Sequence, residues 1–256
     1  MNTFSTAVVV TFGLFAGSVS AAELLALGSD GTLHTIDSES LKVTGTTQVM
    51  SKAPLRGIDV RPASGELYAL AGDNQLYTLD PETGSLSAKS KLAQALPGNG
   101  QAVVDFNPVA DRLRLLAADG TNFRVNVDTG EVVLDGEVSY ATDGPHAGKT
   151  ANVMAGAYTN SYAGTESTSL YTVDLATGQL MLQNPPNDGV QQVVGVIAEE
   201  LGQVAFDIAS DGKGDNTAWL LTGTTLHRVD LESGKPTTLG EVADLPEGVI
   251  DMAVMP

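Results

Sequence analysis

The sequence predicts an all-β fold, a five-bladed β-propeller closed by its own C-terminal strand. Three observations predict it. A short apolar block recurs five times, as LHTID (residues 33–37), LYTLD (76–80), NFRVN (122–126), LYTVD (170–174) and LHRVD (226–230). In four copies the next four residues end in glycine: PETG (81–84), VDTG (127–130), LATG (175–178) and LESG (231–234). The last apolar segment, GVIDM (248–252), matches GIDV (57–60), while the first, ELLAL (23–27), has no such strand before it.

The block spacings of 43, 46, 48 and 56 residues each hold four short strands and three turns, the length of one propeller blade. Asp or Asn before the turn and glycine at its end describe a type I turn closed by a left-handed residue, a common hairpin connection. Blade one starts at residues 23–27, which match ELYAL (66–70) of blade two. Blade two reads as strands over 57–60, 66–70, 75–80 and 85–92, with 57–60 innermost. Blade three repeats this over 103–107, 112–117, 122–126 and 131–138, and blade five over 204–208, 219–222, 225–230 and 237–242. Blade four has strands at 153–160 and 169–174, but its first and last strands can be drawn two ways around 179–196. The final segment, 248–252, completes blade one, which closes the ring and removes a free sheet edge. A sixth blade would require the long blade-four region to split. A helical reading fails because turn signals recur every few residues and no long 3.6-residue apolar period is present.

Residues 1–22 read as a leader. An apolar stretch over 7–15 precedes small residues ending in Val19-Ser20-Ala21, which suits signal-peptidase cleavage after Ala21 or Ala22. The apolar run is too short to span a bilayer, so the expectation is a periplasmic or secreted protein without a membrane span after cleavage, with residues 23–256 as one domain. The chain has 13 Lys+Arg against 31 Asp+Glu, a net charge of −18. That balance opposes nucleic-acid binding, which needs a basic surface to displace counterions. It also opposes docking on anionic lipid. With no Cys and three His, disulfides, thiolate nucleophiles and Cys-type metal sites are excluded, and little remains for a His-rich centre.

Four segments, GIDVRP (57–62), DFNPVADRLR (105–114), AYTNS (157–161) and QNPPNDG (183–189), resemble an exported bacterial group, domain-of-unknown-function family 4394. The resemblance covers nearly the whole chain after the leader, and 105–114 is its most specific part. It implies a propeller-like exported protein and supplies no activity, substrate or catalytic residue.

The inner strands share one feature. Asp59, Asp105, Asp207 and Asp251 hold the same register in four of the five blades, each between apolar residues. Radial blades place these carboxylates near the axis, where ionised groups repel. In one reading each accepts backbone N–H bonds from a neighbouring blade and never meets the others. In a second they hold a channel cation, with calcium the candidate because hard oxygen ligands suit it. In a third they pair with Arg.

Arg112, Arg114 and Arg124 cluster in blade three, and Arg61 lies two residues beyond Asp59. They read either as an ion-pair network with Asp111, Asp119 and Asp128 or as an anion-binding surface, since the guanidinium fork fits carboxylate and phosphate. Asn107, Tyr158 and Asn160 are further candidate ligand contacts near the inner strands. SDGKGDN (210–216) reads as a solvated hairpin loop, its spacing departing from a calcium loop. Residues 143–149 and 184–189 are polar loops expected over the channel mouth. His34 and His227 take the aromatic position of the repeat and read as packing residues. No nucleophile elbow, H-E-x-x-H or glycine-rich phosphate loop is present. The sequence thus favours a monomeric, non-catalytic propeller that binds a small molecule, glycan or protein at its channel face. The alternatives are a calcium-dependent hydrolase of lactonase type and a structural or adhesive surface module.

Overall fold

The computed structural model describes residues 22–256, so the leader expected over residues 1–22 lies, except for Ala22, outside the described residues. Twenty-one strands build five small sheets. Blade one holds β1 (Glu23–Gly28), β2 (Thr32–Asp37) and β3 (Lys42–Gln48). Blade two is β4 (Leu55–Val60), β5 (Leu67–Ala71), β6 (Gln75–Leu79) and β7 (Leu86–Lys91). Blade three is β8 (Val103–Asn107), β9 (Arg112–Leu116), β10 (Asn122–Val125) and β11 (Val132–Leu134). Blade four takes β12 (Ser139–Tyr140), β13 (Val153–Tyr158), β14 (Leu170–Asp174), β15 (Gln179–Gln183) and β16 (Val190–Val196). Blade five is β17 (Val204–Ser210), β18 (Asn216–Thr222), β19 (Thr225–Val229) and β20 (Pro236–Glu241). Last in the chain, β21 (Val249–Val254) pairs antiparallel with β1 and becomes the innermost strand of blade one. Among the described residues no helix is long and apolar enough to cross a membrane.

Burial falls from axis to rim within each sheet, and the sequence pattern follows it. In blade two, β4 and β5 are buried at every residue, β6 is mixed, and β7 has no buried residue. Strands covered on both faces read as near-continuous apolar runs, while a strand at the rim does not. Between blades the facing side chains form apolar layers. Tyr68, Leu70, Phe106 and Leu113 pack at the second seam, and Ala155, Ala157, Phe206 and Ile208 at the fourth. The third seam has only a small apolar layer of Val103, Leu116, Val138 and Val153.

Blade four resolves as one sheet ordered β12-β16-β15-β14-β13, so residues 179–196 supply its third and fourth strands. Its copy of the repeated block, β14, is the second strand from the axis, whereas the other four copies are third. The LATG turn therefore joins the second and third strands here. Blade three is shorter at the rim than the sequence implies. Of residues 131–138 only Val132–Leu134 pair as β11, and the chain then adds β12 in parallel to the edge of β16.

The outermost strands meet end to end around the rim. Gly84 O accepts the N–H of Met50 at 3.1 Å, and Gly130 O accepts that of Ala93 at 2.8 Å. Asn187 O and Gly189 O accept from Gly136 and Ser139 at 2.8 and 3.0 Å. Leu41 O accepts from Ala243 at 2.8 Å. At the fourth seam the backbones touch directly: a Cβ on Gly195 would lie 1.8 Å from Ser233 O. Residues 184–189, expected over the channel mouth, thus sit at the outer end of the third seam. Residues 143–149 are also off the axis: His146 lies beside Tyr140 and bonds Gln179 Oε1 at 2.7 Å through Nε2.

Candidate functional site

Each inner strand turns one edge toward the axis, where no further strand pairs with it. The N–H groups on that edge need acceptors, and the four aligned aspartates supply them. Asp251 Oδ2 accepts from Ile58 at 2.8 Å, Asp59 Oδ2 from Phe106 at 2.6 Å, Asp105 Oδ1 from Tyr158 at 2.9 Å, and Asp207 Oδ2 from Val254 at 2.6 Å. Every one of these bonds reaches the next blade around the ring. Asp59 Oδ1 and Asp207 Oδ1 each accept a second N–H, from Val60 and Ile208, both at 2.6 Å. Blade four has Ala157 before Tyr158, where blades two and three have Asp59 before Val60 and Asp105 before Phe106. Ala157 packs instead in the apolar layer against blade five.

Three of the four carboxylates also meet one another. One oxygen from each of Asp59, Asp105 and Asp207 lies within 4.8 Å of the other two. The expectation that aspartates bonded to neighbouring blades stay apart is therefore overturned, because the inner strands converge at the axis. At an effective dielectric near 20, two full charges at that separation repel by roughly 3 kcal/mol. Among the described residues no cationic side chain pairs with them. Burial, with repulsion from the neighbouring carboxylates, pushes Asp59 and Asp105 well above the ordinary carboxylate range. Burial does the same to Asp251, and raises Asp207 to about 6 despite its two N–H bonds.

The arginines do not form one anion surface. Arg61 grips Asp111 through Nε and Nη2, at 2.8 and 2.6 Å, and also reaches Asp128. Arg114 is 1% exposed and bonds Asp135, Asn122, Asn187 and Tyr158 Oη. Arg124 holds both oxygens of the same Asp135. Arg112 donates to the main-chain oxygen of Asp111. The network thus uses Asp111 and Asp128 as the sequence implies, but its centre is Asp135, and among the described residues Asp119 forms no ion pair. Arg114 fills the third seam where apolar packing is thin. Asn107 caps its own turn by accepting from Val109 and Ala110. Asn160 pairs with Asn216 across the fourth seam, Asn160 N bonding Asn216 Oδ1 at 2.7 Å. The structure places these seven candidates at different seams, and brings together Arg114, Arg124 and Tyr158. The 210–216 loop closes on Asp211 Oδ1, which accepts from Lys213 and Asp215.

Two residues that sequence reasoning missed shape the axis at the end where the inner strands begin. Gln101 Nε2 donates to Met154 O in blade four and Val204 O in blade five, at 2.9 and 2.8 Å, and so closes the axis there. Arg56 is 1% exposed and donates to Leu96 O, Pro97 O and Gly100 O. An Arg inside the apolar run of an inner strand was the available signal.

Residues 32–253 match the family described as a domain of unknown function, DUF4394. The chain belongs to that family. No protein among the curated ones matches it. A protein of unknown function from Bacteroides thetaiotaomicron VPI-5482 shares its fold at 15% identity and a TM-score of 0.57, over 93% of this chain and 65% of that one. A second, from Bacteroides caccae, gives 15% identity and 0.43, over 86% of this chain and 73% of the other. Dihydro-heme d1 dehydrogenase NirN, in complex with DHE, gives 11% and 0.44, over 91% and 46%. This chain thus spans under two thirds of the length of two of the three. At such identities likeness speaks to fold alone.

For a DUF4394 propeller the axial carboxylates have two chemical options: to share protons or to hold a cation. Calcium takes six to eight oxygen ligands, and the converging set supplies three. Of those three residues, Asp59 and Asp207 already have both oxygens bonded to main-chain N–H. That donor set fits shared protons better than a calcium cage.

Proposed function

We propose that the protein is an exported, non-catalytic propeller that binds a small ligand at the end of the axis where the inner strands begin. In this reading the axial carboxylates are proton-sharing latches between blades. The observation that carries it is the direction of their bonds. A general acid or base must offer a free oxygen to substrate; Asp59 and Asp207 have both oxygens on main-chain N–H groups, and Asp105, which uses one, is the residue on which a catalytic reading would have to rest. With Gln101 across the axis, a ligand at that end stays on the face, where propellers present their loops.

The calcium-dependent lactonase is the second reading, favoured by the convergence of three carboxylate oxygens. Thermal-shift screening against small molecules and glycans, run beside lactone hydrolysis with and without calcium, separates the two. The expected result is a ligand that raises the melting temperature, with no calcium response and no turnover. Calcium-dependent lactone hydrolysis that Asp105→Asn abolishes would overturn the proposal.

A further inference from the structure

A cleft of about 240 Å³ opens on the face where the inner strands begin, lined among others by Arg56, Pro97, Gln101, Ala118, Asp119 and Met154. It is smaller than drug-sized pockets, which run about 300–1,000 Å³. Its one buried charge is Arg56, at the start of β4. Among the described residues no carboxylate lies within ion-pair distance of that guanidinium. Its three hydrogen bonds all go to main-chain oxygens, one from each nitrogen. Guanidinium carries five N–H donors, so each terminal nitrogen keeps one. Arg114, the other fully buried arginine among the described residues, ends on a carboxylate, Asp135, and half-buried Arg61 and Arg124 end on Asp111 and Asp135. A cation taken from water needs a counter-charge, and burial lowers the Arg56 pKa, with Asp119 opposing that from a distance.

We infer that this cleft binds a small organic monocarboxylate, its carboxylate on the two remaining Arg56 N–H groups and its apolar part against Pro97, Ala118 and Met154. The inference rests on the binding reading above and names its ligand class. Asp119, exposed on the rim, accepts among the described residues only from Thr121. It repels a second carboxylate and attracts an ammonium group, so a zwitterionic amino acid fits better than a plain acid, and a dicarboxylate worst. The two free donors of a charged guanidinium are the partners that a carboxylate's oxygens take up most strongly.

Calorimetric titration of the folded protein with leucine, 4-methylpentanoate and glutarate tests this. Leucine is expected to bind most tightly, 4-methylpentanoate more weakly and glutarate least. Ala118→Trp fills the cleft without touching any Arg56 bond, and should weaken leucine at least about tenfold, roughly 1.4 kcal/mol, with an unchanged melting temperature. Asp119→Asn should bring leucine down to the affinity of 4-methylpentanoate. Binding of none of the three, or binding that Ala118→Trp leaves unchanged, overturns the inference. If a library ligand still binds elsewhere on that face, the broader reading survives; if nothing binds, both fall.

Discussion

Asp105 and Asp207 hold the same register on the inner strands of blades three and five, yet their oxygens are differently occupied. Asp105 uses Oδ1 for Tyr158 N–H and directs no other hydrogen bond, whereas Asp207 uses both oxygens. An amide at position 105 keeps the acceptor and turns an NH2 group toward the other carboxylates. Asp105→Asn should therefore stabilise the fold near pH 7 by about 1 kcal/mol, since one pKa unit is worth about 1.4 kcal/mol. Asp207→Asn sets an NH2 against a main-chain N–H and should destabilise by about 1–2 kcal/mol. Urea denaturation of both variants at pH 7 checks the opposite signs. The shared register was legible because strand alternation and apolar flanks mark an inner face. The partners were not: Asp135 follows β11 in a loop, where spacing gives no clue that it will bind Arg114 and Arg124. Arg56 and Gln101 escaped for a similar reason, since they act on main-chain oxygens and main-chain groups carry no sequence signature.

The hairpin between third and fourth strands does two jobs, and the sequence displayed only one. Asp80 Oδ1 accepts from Glu82 and Thr83, which fixes the turn, and Gly84 closes it at φ +69°. The second job is contact across the seam. Gly130, at φ +76°, passes so close to the end of β7 that a Cβ would stand 2.0 Å from Lys91 O. Gly130→Ala thus meets both an unfavourable backbone region and a main-chain clash, and should cost about 2 kcal/mol or more. A drop in denaturation midpoint with an unchanged slope is the expected reading. Blade one manages with Leu41 at φ +52°, where the neighbour is Ala243. Blade four shows the limit of repeat matching. Its LYTVD segment looks like the other copies because all are buried, alternating strands, but it sits one strand nearer the axis. The rim contact in that blade falls to Gly189, beyond the cis Asn184–Pro185 bond, so two different turns share a role that one motif serves elsewhere.

At the scale of the whole ring, the closure of blade one by β21 was readable because both ends of the chain carried halves of one pattern. Closure also creates the crowded axis, since five inner strands must converge, and that gives the molecule an unusual pH response. A carboxyl with a raised pKa in the fold holds its proton more tightly there than in the unfolded chain. Its stabilising effect is full at low pH, and is lost as pH climbs from the unfolded value toward and past the folded one. Asp59, Asp105, Asp207 and Asp251 all act in this sense, and Asp207, at about 6, sets the visible part of the window. Turn and ion-pair carboxylates such as Asp30, Asp80, Asp111 and Asp230 are lowered, chiefly by hydrogen bonds. Their contribution is present above the ordinary value and vanishes as pH falls through their own lower pKa. The melting temperature should therefore rise as pH drops from about 7 to between 4 and 5, and fall again below about 3.5. A net charge of −18 pushes the upper limb in the same direction through surface repulsion. Salt separates the two causes, because it screens exposed charges far more than buried ones. The limb between pH 5 and 7 should persist in about 0.5 M salt and flatten in Asp105→Asn. A melting temperature that salt makes independent of pH would show that the axial carboxylates do not carry the effect.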